Sequence, residues 1–320
     1  MADIFTAITS NITVSNINKG VPAKAVLSMT PSFFFLYINV VMLITLRSKA
    51  IFRETSRYIL FTNMLLADSL NLAFCMLMYS FAIFRVYFTG LVCLILVLAG
   101  GVISLISPLS LAVMALERYI AICFPLRHAE ITTCRRTGMA IAIVWALGSV
   151  QSFTSLIWFL ISGPLVSTSG FCSRLLMPAL EVYSDINNTF TIIYFLSVGI
   201  TIVYTYIGIV VAARSVSSNK LSAAKAHRTV LLHLIQLGLC LSSILFDTIV
   251  EVVRARLDLF AVLHLQYILF LGLIILPRCL SPLIYGLRDQ TFRPLFIYYV
   301  TFGLSTTCKE LKISVVFKSS

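Results

Sequence analysis

Charge is scarce in this chain: Asp, Glu, Lys and Arg make up 11% of its 320 residues, and only 12 residues are acidic. A soluble globular domain carries about 25% charged residues, so an ordinary water-facing surface is excluded. Alternation of apolar and polar residues at period two is missing, which argues against a membrane barrel. No repeat of a fixed period of tens of residues occurs, which excludes a solenoid, and no inverted pair of broken apolar segments marks a transporter. His233 and His264 fall on different apolar segments with no metal-ligand or nucleophile spacing around them, so the chain offers no enzyme chemistry, cofactor or metal site. Residues 1–24 lack a basic start followed by an apolar core; no cleavable signal peptide is expected, and the first apolar segment would serve as the signal anchor. Eight cysteines are present, yet most lie inside apolar segments or on the basic side of the chain, so they do not build a disulfide framework.

What the chain has is apolar length. Hydrophobic residues reach 59% and mean hydropathy is +1.00. Crossing a hydrocarbon core takes about 20 apolar residues in a helix, because a helix satisfies its own backbone hydrogen bonds. Seven stretches qualify: Ala25–Leu46, Tyr58–Phe84, Val86–Leu116, Thr137–Ser173 (with Gly163-Pro164 marking the end of the span), Ile186–Ala213, Thr229–Phe246 and Leu259–Leu287. With the N-terminus outside, 17 of the 24 Lys and Arg residues fall in inner loops or the tail, 6 fall outside, and Arg278 lies within the last span. The basic excess is therefore a topology signal and not a nucleic-acid surface. Three segments follow: an extracellular N-terminus (1–24), a seven-helix bundle (25–287) and a cytoplasmic helix and tail (288–320), with Phe292, Leu295 and Phe296 buried and Cys308 either palmitoylated or free. Asn11 heads an outer glycosylation triplet, and Asn187 heads a second one close to the membrane. Cys93 and Cys172 alone share the oxidising side and are the one pair expected to bridge.

Asn39 in the first span, Asp68 of "LLADSL" in the second, Cys93 25 residues before Arg118 of "ERY", Trp145 in the fourth span and "SPLIY" closing the seventh occur in one order. In this the chain resembles the rhodopsin-like G-protein-coupled receptors over nearly its whole length. "MALERYIAICFPLRH" looks like the MAYDRYVAIC-P-L signature of odorant receptors, "KAHRTVLLH" matches their sixth-helix K-A-x-x-T-x-x-x-H, and "LPRCLSPLIYGLRD" looks like the fish-type ending of their seventh helix. The resemblance implies an all-α seven-helix membrane bundle with a short amphipathic eighth helix. It also implies a small-molecule odorant as ligand and a heterotrimeric G protein of the olfactory stimulatory type, raising cyclic AMP, as partner. Arrestin, a receptor kinase and membrane lipid would be further partners, in the plasma membrane of olfactory sensory neurons. Gly100 stands where amine receptors carry an aspartate, Ile275 where opsins carry their lysine, and "CLSS" replaces the usual C-W-x-P. The weighed alternatives are a rhodopsin-like receptor for a peptide or lipid, and a transporter or channel, which would need polar lining along several spans.

Glu117 and Arg118 end an uncharged run of 31 residues. Snorkelling charges at a helix end are the simple reading. With Tyr119, Cys123, Pro125 and Leu126 in register, the resemblance implies a switch: the arginine is held by its acidic neighbour and by the sixth helix, then released to admit the G protein. Thr229 and His233 are the sixth-helix candidates, Thr229 being the better acceptor, and Ser281, Pro282 and Tyr285 supply the seventh-helix part, with serine where asparagine is common.

Asp68 in mid-span costs about 3 kcal/mol on insertion scales and needs a partner. In many family members that partner is sodium, shared here with Ser107 and the polar network around Asn39. Arg278 shares a helix face with Ser281, Pro282 and Tyr285, which points it at the same interior. A buried Asp68–Arg278 pair in place of sodium is therefore expected; the alternative is an Arg278 facing the outer vestibule or a carbonyl network. The ligand pocket falls to Gly100, Gly101, Ser104 and Leu105 of the third helix, Phe190 and Tyr194 of the fifth, Ile244, Asp247 and Thr248 of the sixth, and Leu271 and Ile274 of the seventh. The two glycines either open space or pack helices closely. Asp247 faces either this pocket or Arg254 and Arg256 in the outer loop.

Overall fold

The computed structural model describes residues 29–84, 86–162, 170–171, 180–216, 238–239, 242–243, 245–254, 256, 259–289 and 291–301. The first helix is α1 (Met29–Ser48). It is followed by α2 (Ala50–Glu54), α3 (Ser56–Ile83), β1 (Tyr87–Phe88), α4 (Gly90–Cys123), α5 (His128–Ile131), α6 (Cys134–Ser162), β2 (Gly170–Phe171) and α7 (Leu180–Val216). Then come α8 (Phe246–Arg254), α9 (Leu259–Leu269), a π-helical segment (Phe270–Ile275), α10 (Leu276–Arg288) and α11 (Phe292–Val300).

Among the described residues, five stretches are long and apolar enough to cross a membrane: Met29–Ser48, Ser56–Met78, Gly90–Cys123, Cys134–Ile161 and Asp185–Ala212. The shortest has 20 residues, about 30 Å at 1.5 Å per residue, which matches a bilayer core. The expected seventh span contains a shorter apolar helix, His264–Leu280, and much of the expected sixth lies outside the described residues. Burial is arranged for lipid. Phe33, Phe34, Ile143, Ile157, Ile200 and Val211 point outward, whereas Asn39, Asp68, Asn71, Ser107, Ser110 and Arg278 are buried. In water such an outer surface would aggregate; against hydrocarbon it needs no polar cover.

α4 is the central helix and packs on α3, α6 and α7. Its closest approaches use glycines on the neighbouring helices: a Cβ at Gly208 of α7 would collide with the Tyr119 ring, and one at Gly148 of α6 would come within 2.9 Å of Ile106 Cδ1. Pro108 sits inside α4. Proline has no N–H, so the carbonyl of Ser104, four residues earlier, is left without its helical donor. Pro277 has the same effect near the start of α10. There the preceding turn widens to π geometry, with the Leu276 N–H reaching the carbonyl of Leu271, five residues back. α4 stops at Cys123 because Phe124 precedes Pro125 and is pushed out of helical geometry.

Two features differ from the expected pattern. Tyr87–Phe88 and Gly170–Phe171 pair as a short antiparallel ribbon, a structure too brief to leave a periodicity. α7 begins at Leu180, six residues before the uncharged run, with Glu181 and Asp185 in its first turns, where the helix dipole favours acidic residues. At the other end of the chain, Asp289 organises the turn between α10 and α11. Its Oδ1 accepts the backbone N–H groups of Thr291 (2.9 Å) and Phe292 (3.0 Å), and its Oδ2 meets Arg57 Nη2 at 2.8 Å. The Tyr58 hydroxyl donates to the same carboxylate. α11 is thereby fixed with Phe292 and Phe296 buried and Leu295 packed against the core.

Candidate functional site

The buried polar centre is assembled from three helices. Asp68 of α3 and Arg278 of α10 are both almost fully buried, and Arg278 Nη1 lies 3.4 Å from Asp68 Oδ1. The Ser107 hydroxyl of α4 donates to the same oxygen. Arg278 Nη2 donates at 3.2 Å to the carbonyl of Ser104, the acceptor that Pro108 releases. Opposite charges in a low-dielectric interior need both a partner and hydrogen bonds to offset desolvation, and this cluster supplies them. Three buried amide or guanidinium atoms near or within it have no protein partner among the described residues: Arg278 Nε and both Nδ2 and Oδ1 of Asn39.

A cavity of about 340 Å³ lies directly above this pair, near the lower end of the usual size for small-molecule sites. Gly100, Gly101, Ser104, Leu105 and Ile274 line it as expected, and so does Arg278. The two glycines act differently. A Cβ at Gly100 would come within 2.6 Å of the Phe74 ring, so this glycine serves close packing, while Gly101 has only Ser152 Oγ at 3.6 Å and leaves space.

Phe190, Tyr194, Thr248 and Leu271 are not among the residues that line this cavity. Asn187 and Thr191 present α7 to the cavity. Phe190 and Tyr194 stack on one another with ring centroids 6.0 Å apart, and the Tyr194 hydroxyl donates to Leu147 O of α6 at 2.5 Å. Thr248 Oγ1 donates to Asn188 Oδ1 at 3.3 Å, and Leu271 packs against Leu72, Ile275 and Cys279. Asn187 is buried, with its Oδ1 accepting from Gln151 Nε2 at 2.8 Å, a position that no glycan could share.

The C-terminal end of α4 holds a second cluster. Glu117 is buried; its Oε2 is 3.5 Å from Arg118 Nε and its Oε1 is 3.3 Å from His128 Nε2 of α5. Thr132 Oγ1 lies 3.2 Å from the same ring nitrogen. Tyr119 turns the other way, toward Tyr204 of α7, with ring centroids 5.6 Å apart. His128 had no role in the sequence reading; its place at the end of a quoted motif was the only signal. Also unforeseen is the bridge in which Asn63 Nδ2 donates to Ser110 Oγ (2.9 Å) while Trp145 Nε1 donates to Asn63 Oδ1 (3.0 Å), joining α3, α4 and α6.

Cys93 is buried and disulfide-bonded. Asn11, Cys172, Thr229, His233, Ile244 and Cys308 lie outside the described residues, as do the side chains of Asp247, Ser281, Pro282 and Tyr285. Among the described residues, no group of three or more His, Cys, Asp or Glu side chains is placed to hold a metal ion.

Comparison with known proteins bears on this arrangement directly. The family described as 7 transmembrane receptor (rhodopsin family) matches residues 38–285. Odorant receptor 131-2 of Danio rerio is 33% identical over 310 residues, covering 95% of this chain and 94% of that protein. Olfactory receptor 7A40 of Mus musculus is 30% identical over 150 residues, 42% of this chain and 46% of that one. Olfactory receptor 11G2 of Homo sapiens is 44% identical over 62 residues, 19% and 16% of the two chains. A helical bundle with a cavity in its interior, a buried ion pair whose arginine lines that cavity and an acid–arginine pair at the C-terminal end of α4 is thus found in a chain that belongs to the rhodopsin family of seven-transmembrane receptors, and within it to the odorant receptors.

Proposed function

We propose that the chain senses a small-molecule odorant in the cavity beside Gly101 and Ser104 and activates a heterotrimeric G protein of the stimulatory type, raising cyclic AMP. One observation carries this reading: α4 lines the cavity with Gly100, Gly101, Ser104 and Leu105 and ends in the Glu117–Arg118–His128 cluster. Ser104 and Arg118 are 14 residues apart, about 21 Å along one helix, so a shift of α4 or its neighbours is felt at both ends. Arg118 is held by Glu117 in the resting state, Thr229 and His233 complete the hold from the sixth helix, and Ser281, Pro282 and Tyr285 carry the seventh-helix movement. The Asp68–Arg278 pair takes the place of a sodium ion under the cavity.

The N-terminus is outside, with a glycan on Asn11. The Cys93–Cys172 bridge clamps the outer loop; the β1–β2 ribbon, in which Phe171 pairs with Tyr87, supports this. The cell is an olfactory sensory neuron, and arrestin and a receptor kinase act on the cytoplasmic face.

The test is a cyclic-AMP reporter cell expressing the chain, screened with volatile odorants, amino acids, bile acids and nucleotides. A response that disappears in Arg118→Ala at unchanged surface level is expected. A response that persists in that variant, or one given by peptides or lipids and by no odorant, would contradict the reading.

A further inference from the structure

Among the described residues lining the cavity, Arg278 alone carries a formal charge. Its partner Asp68 is not part of the lining, so a ligand meets the cation and not the anion. A guanidinium has five N–H groups in a rigid fork suited to carboxylate oxygens. Two of them are used here: Nη1 reaches Asp68 at 3.4 Å, a long single contact, and Nη2 reaches Ser104 O at 3.2 Å. Nε has no partner although the residue is 2% exposed. The rest of the wall is mostly apolar, with Phe74, Leu96, Phe246, Phe270 and Ile274.

We propose that the cavity takes small monocarboxylates, with the carboxylate on Arg278 and an apolar or aromatic body against the phenylalanines. This rests on the reading of the cavity as the ligand site and specifies the chemical class it accepts. Its volume of about 340 Å³ corresponds to roughly eleven non-hydrogen atoms at about 30 Å³ for each water-sized unit. The ligand carboxylate competes with Asp68 for the same guanidinium. Ligand binding is therefore coupled to the α3–α10 contact: as the acid arrives, Asp68 keeps its Ser107 donor and loses part of its hold on Arg278.

The experiment measures thermal stabilisation of the purified full-length receptor in lipid nanodiscs. The first probe is 3-phenylpropanoate, beside its amide and the amine of the same skeleton, followed by aliphatic monocarboxylates of similar size. Wild type should be stabilised by one or more of the acids at concentrations about tenfold or more below those needed for the matched amide or amine, as expected for a charge-assisted bidentate contact. Asp68→Asn leaves Arg278 without its counter-ion, so the acid effect should be larger there than in wild type. The double change Asp68→Asn with Arg278→Gln, which buries no charge and so keeps a folded comparison, should lose the acid preference.

Equal stabilisation by acid, amide and amine, a preference for the amine, or an acid preference that survives the double change would overturn the proposal. If neutral compounds stabilise the protein and Gly101→Leu abolishes their effect, the carboxylate assignment fails while the cavity stands as the ligand site. If no compound of any class stabilises it, or binding is unchanged in Gly101→Leu, both fail.

Discussion

Two charges placed where lipid surrounds the bundle account for much of its interior. Asp68 and Arg278 each face a desolvation cost that the opposite charge and the hydrogen bonds to Ser107 and Ser104 offset together, so removing one charge should cost about 3–5 kcal/mol while removing both costs less. Surface expression of Asp68→Asn, Arg278→Gln and the double change measures this. Both singles are expected to fall well below wild type and the double to recover part of the loss; a double change worse than either single would contradict the pair. Glu117 is the corresponding residue at the C-terminal end of α4, meeting Arg118 at 3.5 Å and His128 at 3.3 Å. Glu117→Gln removes the charge that holds Arg118 and should raise ligand-free cyclic-AMP signalling severalfold, whereas His128→Gln, which retains a hydrogen-bonding side chain, should raise it less. Signalling that falls in Glu117→Gln at equal surface level would mean that the contact supports activation and not rest. The Asp68–Arg278 pair could be anticipated from sequence, because an ionised group in a span must find a partner, whereas the Glu117–Arg118 contact was implied by the family resemblance. His128 could not, since its role depends on how α5 folds back beneath α4.

Helices meet here through missing side chains as much as through present ones. Gly208 admits the Tyr119 ring, whereas Gly199, on the same helix, has nothing within 4 Å of an added Cβ. Gly208→Ala should therefore lower the unfolding midpoint of the purified receptor, the overpacking cost being about 1–3 kcal/mol. Gly199→Ala should leave it unchanged or raise it through helix propensity alone. Equal midpoints would remove the close α4–α7 approach from the description. The positions of the long helices were legible because each contains a long apolar run with few charges, and α11 was legible from its Phe292 and Phe296. The rotation of α7 was not. Its polar and apolar residues are spread around the helix, so no periodicity separates the face carrying Asn187 and Thr191, which lines the cavity, from the one carrying Phe190 and Tyr194, which does not. The prolines were visible, but not that Pro108 would free the Ser104 carbonyl for a guanidinium from another helix.

At the scale of the whole molecule, the proposed function connects two places on one helix: α4 lines the cavity that Arg278 also lines, and its C-terminal end carries the Glu117–Arg118–His128 cluster. The order of motifs along seven apolar runs made the family readable, because signalling residues sit at fixed distances along helices. Ligand chemistry was less readable, because it depends on which side chains converge across helices. The most direct measurement separates binding from signalling in the same cells, using one ligand found in the reporter screen, with Gly101→Leu to fill the cavity and Arg118→Ala to disable the switch, both matched for surface level. The expected result is that Gly101→Leu loses both binding and the cyclic-AMP response, while Arg118→Ala keeps binding and loses the response. Binding that survives Gly101→Leu, or a full response in Arg118→Ala, would contradict the assignment of the cavity as sensor and of the α4 end as switch.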